Sequence, residues 1–132
     1  MKSSKRKFIS NHEDLEVYKI AFDAAMEIFE LSKNFPKEEK YSLTDQIRRS
    51  SRSVCANLLE AWRRRRYKGS FTLRLNDAEA ESAETQVWLK FAVKCQYLDL
   101  DSGRKLYSRY NQILGSIVTM TNNADKWLLK KN

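Results

Sequence analysis

LTDQIRRSSRSVCANLLEAWRRRR, residues 43–66, decides how this chain is read. Leu43, Ile47, Val54, Leu58 and Ala61 recur at helical spacing and define one apolar stripe. At 100° per residue, Arg49, Arg52 and Arg63 fall together on the opposite side, with Glu60 at their margin. Arg48 and Arg66 flank that face, while Arg65 turns back towards the apolar side. A helix is therefore expected from about Leu43 to Arg66, with Ser42 as its cap and Asp45 in its first turn. It carries an apolar face for a core and a cationic face for something else.

The flanking sequence supplies three more helices. Upstream, Leu15, Tyr18, Phe22, Ala25, Phe29 and Ser32 step by threes and fours, widened by Ile28 and Leu31, which predicts a helix from about Asp14 to Asn34. Asn11 is its expected N-cap, and Phe35-Pro36 ends it, since proline disfavours helical geometry in the residue before it. Downstream, Phe71, Leu75, Ala78, Ser82, Thr85, Leu89 and Ala92 predict a helix from about Ser70 to Leu98, after a break at Gly69. Asp77, Glu81 and Glu84 line an acidic stripe beside that seam, running into Trp88. Leu106, Tyr110, Ile113, Ile117, Met120, Ala124 and Trp127 predict a last helix from Asp99 to about Leu129, with Gly115 at a close packing point. Four long helices with short connections predict an all-α, antiparallel up-down-up-down four-helix bundle over residues 11–132. Residues 1–10 read as a flexible basic N-terminal arm.

Composition agrees with that class. The chain has 132 residues, enough for one domain with a real core, and only three glycines and one proline, too few for a turn-rich β fold. Net charge is +8 and unevenly spread: residues 11–36 carry −4, whereas residues 37–66 carry +5. Segregated charge of this kind guides assembly with proteins as well as with nucleic acid. Cys55 and Cys95 lie in apolar helical patterns and read as small buried residues of a reducing cytoplasm. No apolar run reaches the roughly 18 residues of a membrane span, so no membrane partner is expected.

Catalysis finds little support. A di-iron bundle needs two Glu-x-x-His pairs, and the sole histidine is His12, before the first helix. The cysteines lack zinc-ligand spacing, and Gly69, Gly103 and Gly115 form no phosphate loop. Glu81 and Glu84 have ordinary helix-surface spacing, for which pairing with arginine is the simpler role. No enzyme activity, metal, cofactor or small-molecule substrate is expected.

The arginines admit two readings. Arg48, Arg49, Arg52, Arg63, Arg64, Arg66, Lys68 and Arg74 are the expected phosphate contacts of a nucleic-acid surface for RNA or DNA, since guanidinium is always ionised and forks onto phosphate. Alternatively they form a solvated helix end that bridges to acidic stripes, in which case the basic face meets another protein. Trp62, Arg65, Tyr67, Glu81 and Glu84 are the expected subunit-interface residues. Gln46 and Asn57, at the border of the buried stripe, are expected to hydrogen-bond between helices. The aromatics Phe22, Phe29, Phe71, Trp88, Tyr110 and Trp127 are assigned mostly to the core.

A longer pattern connects these elements. Asp14-Leu15, Phe35-Pro36, Glu39, Tyr41 and Leu43 lead into Gln46-Ile47-Arg48-Arg49-Ser50. Val54, Asn57 and Glu60 follow, then Glu84-Thr85-Gln86 and Tyr97-Leu98. Over about residues 8–129 this resembles the 23S rRNA intervening-sequence protein family. The resemblance implies an up-down four-helix bundle that assembles into a homopentameric barrel. A related branch comprises the accessory variability determinants of diversity-generating retroelements, basic pentamers that bind nucleic acid and a partner reverse transcriptase. It implies that role for this chain, with a structural or protein-interaction oligomer as the alternative. The chain departs from the family where Ala61-Trp62 follows Glu60 in place of a common glycine, and in its denser arginines thereafter.

Overall fold

The computed structural model describes residues 9–130. Residues 1–8 of the expected basic arm lie outside the described residues, as does Lys131 at the other end. Five α-helices are present among those described: α1 (Glu16–Ser32), α2 (Asp45–Arg63), α3 (Lys68–Lys94), α4 (Leu100–Asn122) and the short α5 (Ala124–Trp127). Each of the four long helices packs on two others: α1 on α2 and α4, α3 on α2 and α4. Arg48 near the start of α2 reaches Ser32 at the end of α1, and Gly103 near the start of α4 lies against Val93 at the end of α3. Sequence neighbours therefore run antiparallel, as an up-down bundle requires.

The stripes expected of α2, α3 and α4 are the ones that pack. Val54, Phe71, Leu75, Ala78, Leu106, Tyr110, Ile113 and Ile117 lose all measurable solvent contact. Burial of this apolar surface, at about 25 cal/mol per Å², is what holds the helices together. The contact between α2 and α3 also carries a polar pin: the Ser50 and Thr85 hydroxyls hydrogen-bond at 2.8 Å inside the core.

Helix α1 is phased differently from the expected seam. Val17, Ala21, Ala24, Ala25, Ile28 and Ser32 are buried. Tyr18 and Phe29 are half-buried and Phe22 is exposed. Both rows keep helical spacing, and the small alanines at the contact let α1 approach its neighbours closely, which the aromatic row would prevent. Trp88 and Trp127 are likewise half-buried rather than core.

Local chemistry moves several boundaries. Asn11 does cap, but the helix it caps is a single 3₁₀ turn, His12–Asp14, closed by a reciprocal Asn11–Asp14 capping box. A π turn, Lys40–Thr44, feeds straight into α2, so no side chain caps α2 and the Ser42 hydroxyl instead donates to Glu39. Gly69 lies inside α3 and breaks nothing; the reversal occurs at Arg64–Tyr67, before it. Helix α3 stops at Lys94 because Gln96 adopts the left-handed φ of 64° and Tyr97 N–H returns to the Ala92 carbonyl. Asn123 divides the expected last helix into α4 and α5. Gly115 faces open space, and close packing falls at Gly103, where a Cβ would meet Val93 Cγ2. Cys95 is exposed rather than buried, being the residue that caps α3. Asn57 bonds to Ser53 within α2 rather than between helices, whereas Ser50, Thr85 and Gln86 do bond between helices.

Candidate nucleic-acid interface

The arginine-rich face of α2 divides into side chains held within the chain and side chains left to solvent. Arg48 is held by α1: its Nε donates to Ser32 Oγ at 2.8 Å, Nη2 reaches the Phe29 carbonyl, and the guanidinium lies 4.8 Å from the Phe29 ring centroid. Arg49 is held by α3, donating to Glu81 at 3.3 Å and to Glu84 at 2.6 Å. The hydrogen bond to Glu81, foremost, raises the Arg49 pKa, so its charge is permanent. The Trp88 indole N–H donates to the same Glu84 carboxylate. The acidic stripe on α3 thus meets an arginine of its own chain. Arg74 pairs with Asp77 at 3.4 Å, while its Nε and Glu81 Oε1 are buried without a partner.

Arg52 is exposed, and its guanidinium lies over the Phe29 ring, 5.7 Å from the centroid. An open groove of about 470 Å³ runs past Asp45, Arg48, Arg49, Arg52, Ser53 and Ala56. Asp45 lines the groove and Arg49 is already paired with Glu81 and Glu84, so Arg48 and Arg52 are the arginines there that hold no ion pair among the described residues.

The run Arg63–Arg66 closes α2 and turns into α3, and its four members have separate fates. Arg64 pairs with Glu60 at 2.9 Å on the helix surface. Arg65 folds inward: its guanidinium stacks 3.4 Å from the Trp62 ring centroid, Nε donates to the Trp62 carbonyl, and Nη1 reaches the Trp127 carbonyl. Burial, with Arg63 nearby, lowers its pKa. The Arg65 carbonyl in turn accepts from Leu129 N–H, so the C-terminal segment is fastened to this turn. Trp62, expected between subunits, is only 6% exposed within the single chain. Arg63 and Arg66 are exposed and, among the described residues, pair with no carboxylate. Tyr67 beside them is 67% exposed, and Lys68 pairs with Asp125 of α5 at 3.0 Å.

The expected phosphate contacts therefore do not form one uniform patch. Arg52, Arg63 and Arg66 present free guanidinium groups, and Arg64 and Lys68 hold exposed ion pairs of the kind worth only about 0–1 kcal/mol. Arg48, Arg49 and Arg74 are engaged within the chain. Arg52 and Arg63 stand 11 residues apart on one face, about 16 Å along the helix, which equals about five base-pair steps of a duplex. Phe29, which sequence spacing assigns to the core, is the platform under Arg48 and Arg52. Asp125 and Trp127 are not identifiable from the sequence as partners of the arginine turn: an up-down topology brings the last helix back to that end of the bundle, but helical spacing does not say which side chains meet there.

Among the described residues no group of three or more His, Cys, Asp or Glu side chains gathers to hold a metal, and no helix is long and apolar enough to cross a membrane.

The profile of the 23S rRNA-intervening sequence protein matches residues 13–119. Among solved structures, one from Bacteroides thetaiotaomicron, described as a protein of unknown function from the S23 ribosomal protein family, superposes with a TM-score of 0.73. It is 25% identical, and the match covers 80% of this chain and 95% of that one. No curated protein matches.

Proposed function

This chain belongs to the 23S rRNA-intervening sequence protein family, and from that premise we propose that it is a non-catalytic, homo-oligomeric accessory protein that binds RNA or DNA through its phosphates. The observation that carries the reading is the exposed cationic corner where α2 turns into α3. Arg63 and Arg66 lack an acidic partner there, and Arg52 continues the same face. Such contacts are tolerant of sequence and give up affinity steeply as salt rises, by counterion release. Repeating the corner around an oligomer, a homopentamer on the family resemblance, adds avidity beyond any single copy. The residues proposed to touch phosphate are Arg52, Arg63, Arg64 and Arg66, with Lys68 and Tyr67 beside them. In the most concrete version the oligomer holds template RNA or RNA–cDNA beside a reverse transcriptase, as the accessory branch of the resemblance implies.

The test is a titration of RNA and of DNA at several salt concentrations. Affinity on the order of micromolar at low salt is expected, with a steep log–log salt slope. Replacing Arg63 and Arg66 by glutamine should make that slope shallower by about 2, roughly 0.9 for each lost phosphate contact. Absence of binding even at low salt sinks the reading. A reverse transcriptase gene with template and variable repeats beside this one would support the concrete version.

A second reading has its own observation. Arg48, Arg49, Arg65 and Arg74 all hold contacts within the chain, and several large apolar side chains remain exposed. A protein-interaction oligomer without a nucleic-acid role would show both. It predicts stable assembly and no response to polyanions.

A further inference from the structure

Two unpartnered apolar surfaces lie on different sides of the bundle, and their charges are opposite. The first is a groove of about 530 Å³ between the end of α3 and the start of α4. Gly103 creates it: the missing side chain lets α4 settle against Val93, so Leu89, Val93, Leu100 and Tyr107 form a continuous apolar lining. Leu100 is 54% exposed. Lys90, Lys94 and Arg104 stand along the rim, and none of the residues lining the groove is acidic. Among the described residues these three cations have no salt-bridge partner; Lys90 rests over the Tyr107 ring. The lining is concave but open on one side, a shape that suits a helix laid into it better than an enclosed small molecule.

The second surface is the outer face of α1. Phe22 and Met26, one turn apart, are 48% and 47% exposed. The Phe22 ring is stacked on Tyr18, which stiffens it. Glu16 and Asp23 lie beside them, exposed and without an ion pair among the described residues, with Lys19 between the two and Glu13 beyond, so the face is acidic by balance. This is the helix of the −4 segment. An i, i+4 pair of large apolar anchors flanked by free carboxylates matches a basic-rimmed apolar groove in both terms.

We propose that the α3–α4 groove receives the outer face of α1 from a second copy of this chain. Phe22 and Met26 would seat against Leu100, Val93 and Tyr107, with Asp23 and Glu16 meeting Lys90, Lys94 and Arg104. The contact is heterologous, since each copy offers α1 to one neighbour and its groove to another, and such contacts close into rings or continue as filaments. It also gives the acidic first helix a basic counterpart. The inference rests on the homo-oligomer in the proposed function and names the surfaces that build it.

The experiment is solution mass by light scattering across a dilution series, with far-UV circular dichroism as the check on folding. Wild type should be oligomeric. Lys90→Glu/Lys94→Glu/Arg104→Glu should raise the concentration at which half the protein is assembled by at least tenfold. Phe22→Ser/Met26→Ser, at exposed positions that the fold does not need, should do the same and covers the case in which the charge reversal fails to fold. Adding Glu16→Lys/Asp23→Lys to the groove variant should restore assembly. Variants that keep the wild-type mass overturn this pairing and leave the oligomeric reading standing, as does a combined variant that stays dissociated. A monomeric wild type overturns both. The phosphate contacts of Arg63 and Arg66 involve neither surface, so a folded but dissociated variant should keep single-copy nucleic-acid binding and lose only the avidity of the assembly.

Discussion

Within the run Arg63–Arg66, neighbouring arginines should respond to the same substitution in opposite ways. Arg65→Gln removes a guanidinium that stacks on Trp62 at 3.4 Å and donates to two backbone carbonyls, Trp62 and Trp127. A cation–π contact of this kind contributes about 0.5–2 kcal/mol, and a charge-assisted hydrogen bond about 1.5–3 kcal/mol. These do not add, and the Nη1 bond is long at 3.4 Å. The group is also partly solvated, and desolvation already lowers its pKa, which offsets part of the gain. The expected net loss is about 1–3 kcal/mol. For a chain of this length each kcal/mol corresponds to roughly 3–4 °C in Tm. Arg63→Gln, exposed and unpaired, should stay within about 0.5 kcal/mol of wild type. Urea unfolding followed by circular dichroism at fixed protein concentration measures both. Nucleic-acid affinity should run the other way, falling for Arg63→Gln and holding for Arg65→Gln under conditions where it is folded. Equal stability losses, or a larger loss at Arg63, would refute the division of the run into one structural and several surface arginines.

Three further outcomes follow from the same structure. The Tyr110 hydroxyl is buried without a hydrogen-bond partner, so Tyr110→Phe should be neutral or stabilising by up to about 1 kcal/mol in urea, since it removes an unpaid desolvation cost and leaves the ring packed. Burial pushes the Cys55 thiol up to about 11, so at pH 8 it should alkylate far more slowly than exposed Cys95, as peptide mass spectrometry would show. Glu39 accepts hydrogen bonds from Ser42 and Tyr97, which depress its carboxyl below 4.5, and the same Tyr97 bond raises the phenol from 10.0 to about 12. The depressed carboxyl contributes stability that is full above pH 4.5 and lost as pH falls through its folded value. The raised phenol contributes stability that is full below pH 10.0 and lost as pH rises through about 12. Thermal melts of wild type should fall off at both limbs, and Tyr97→Phe should move the Glu39 carboxyl back up in an NMR titration.

Much of the bundle was legible because its signals are local. The stripes Leu43–Ala61, running from the π turn into α2, and Phe71–Ala92 on α3 are buried as their spacing requires, since one helical face must leave water whatever it packs against. Helix α1 was misphased because two rows, Val17–Ala21–Ala24–Ile28 and Tyr18–Phe22–Ala25–Phe29, share one period. Spacing alone cannot tell which row faces inward; bulk at the contact decides it. The end of α3 was missed for a related reason, since Gln96 carries no composition cue for its left-handed backbone.

The sequence by itself determined four long amphipathic helices, their order, a cationic face on α2 and the turning inward of Arg65. These follow from helical periodicity and from charge, both properties of residues near one another along the chain. Only the tertiary structure decided which arginines are free. Glu81 and Glu84 reach Arg49 across 32 and 35 residues, and Trp127 meets Arg65 across 62. A charge is available to a partner only if no closer opposite charge or carbonyl already holds it. Distance in space sets that competition, and folding makes it independent of distance along the chain.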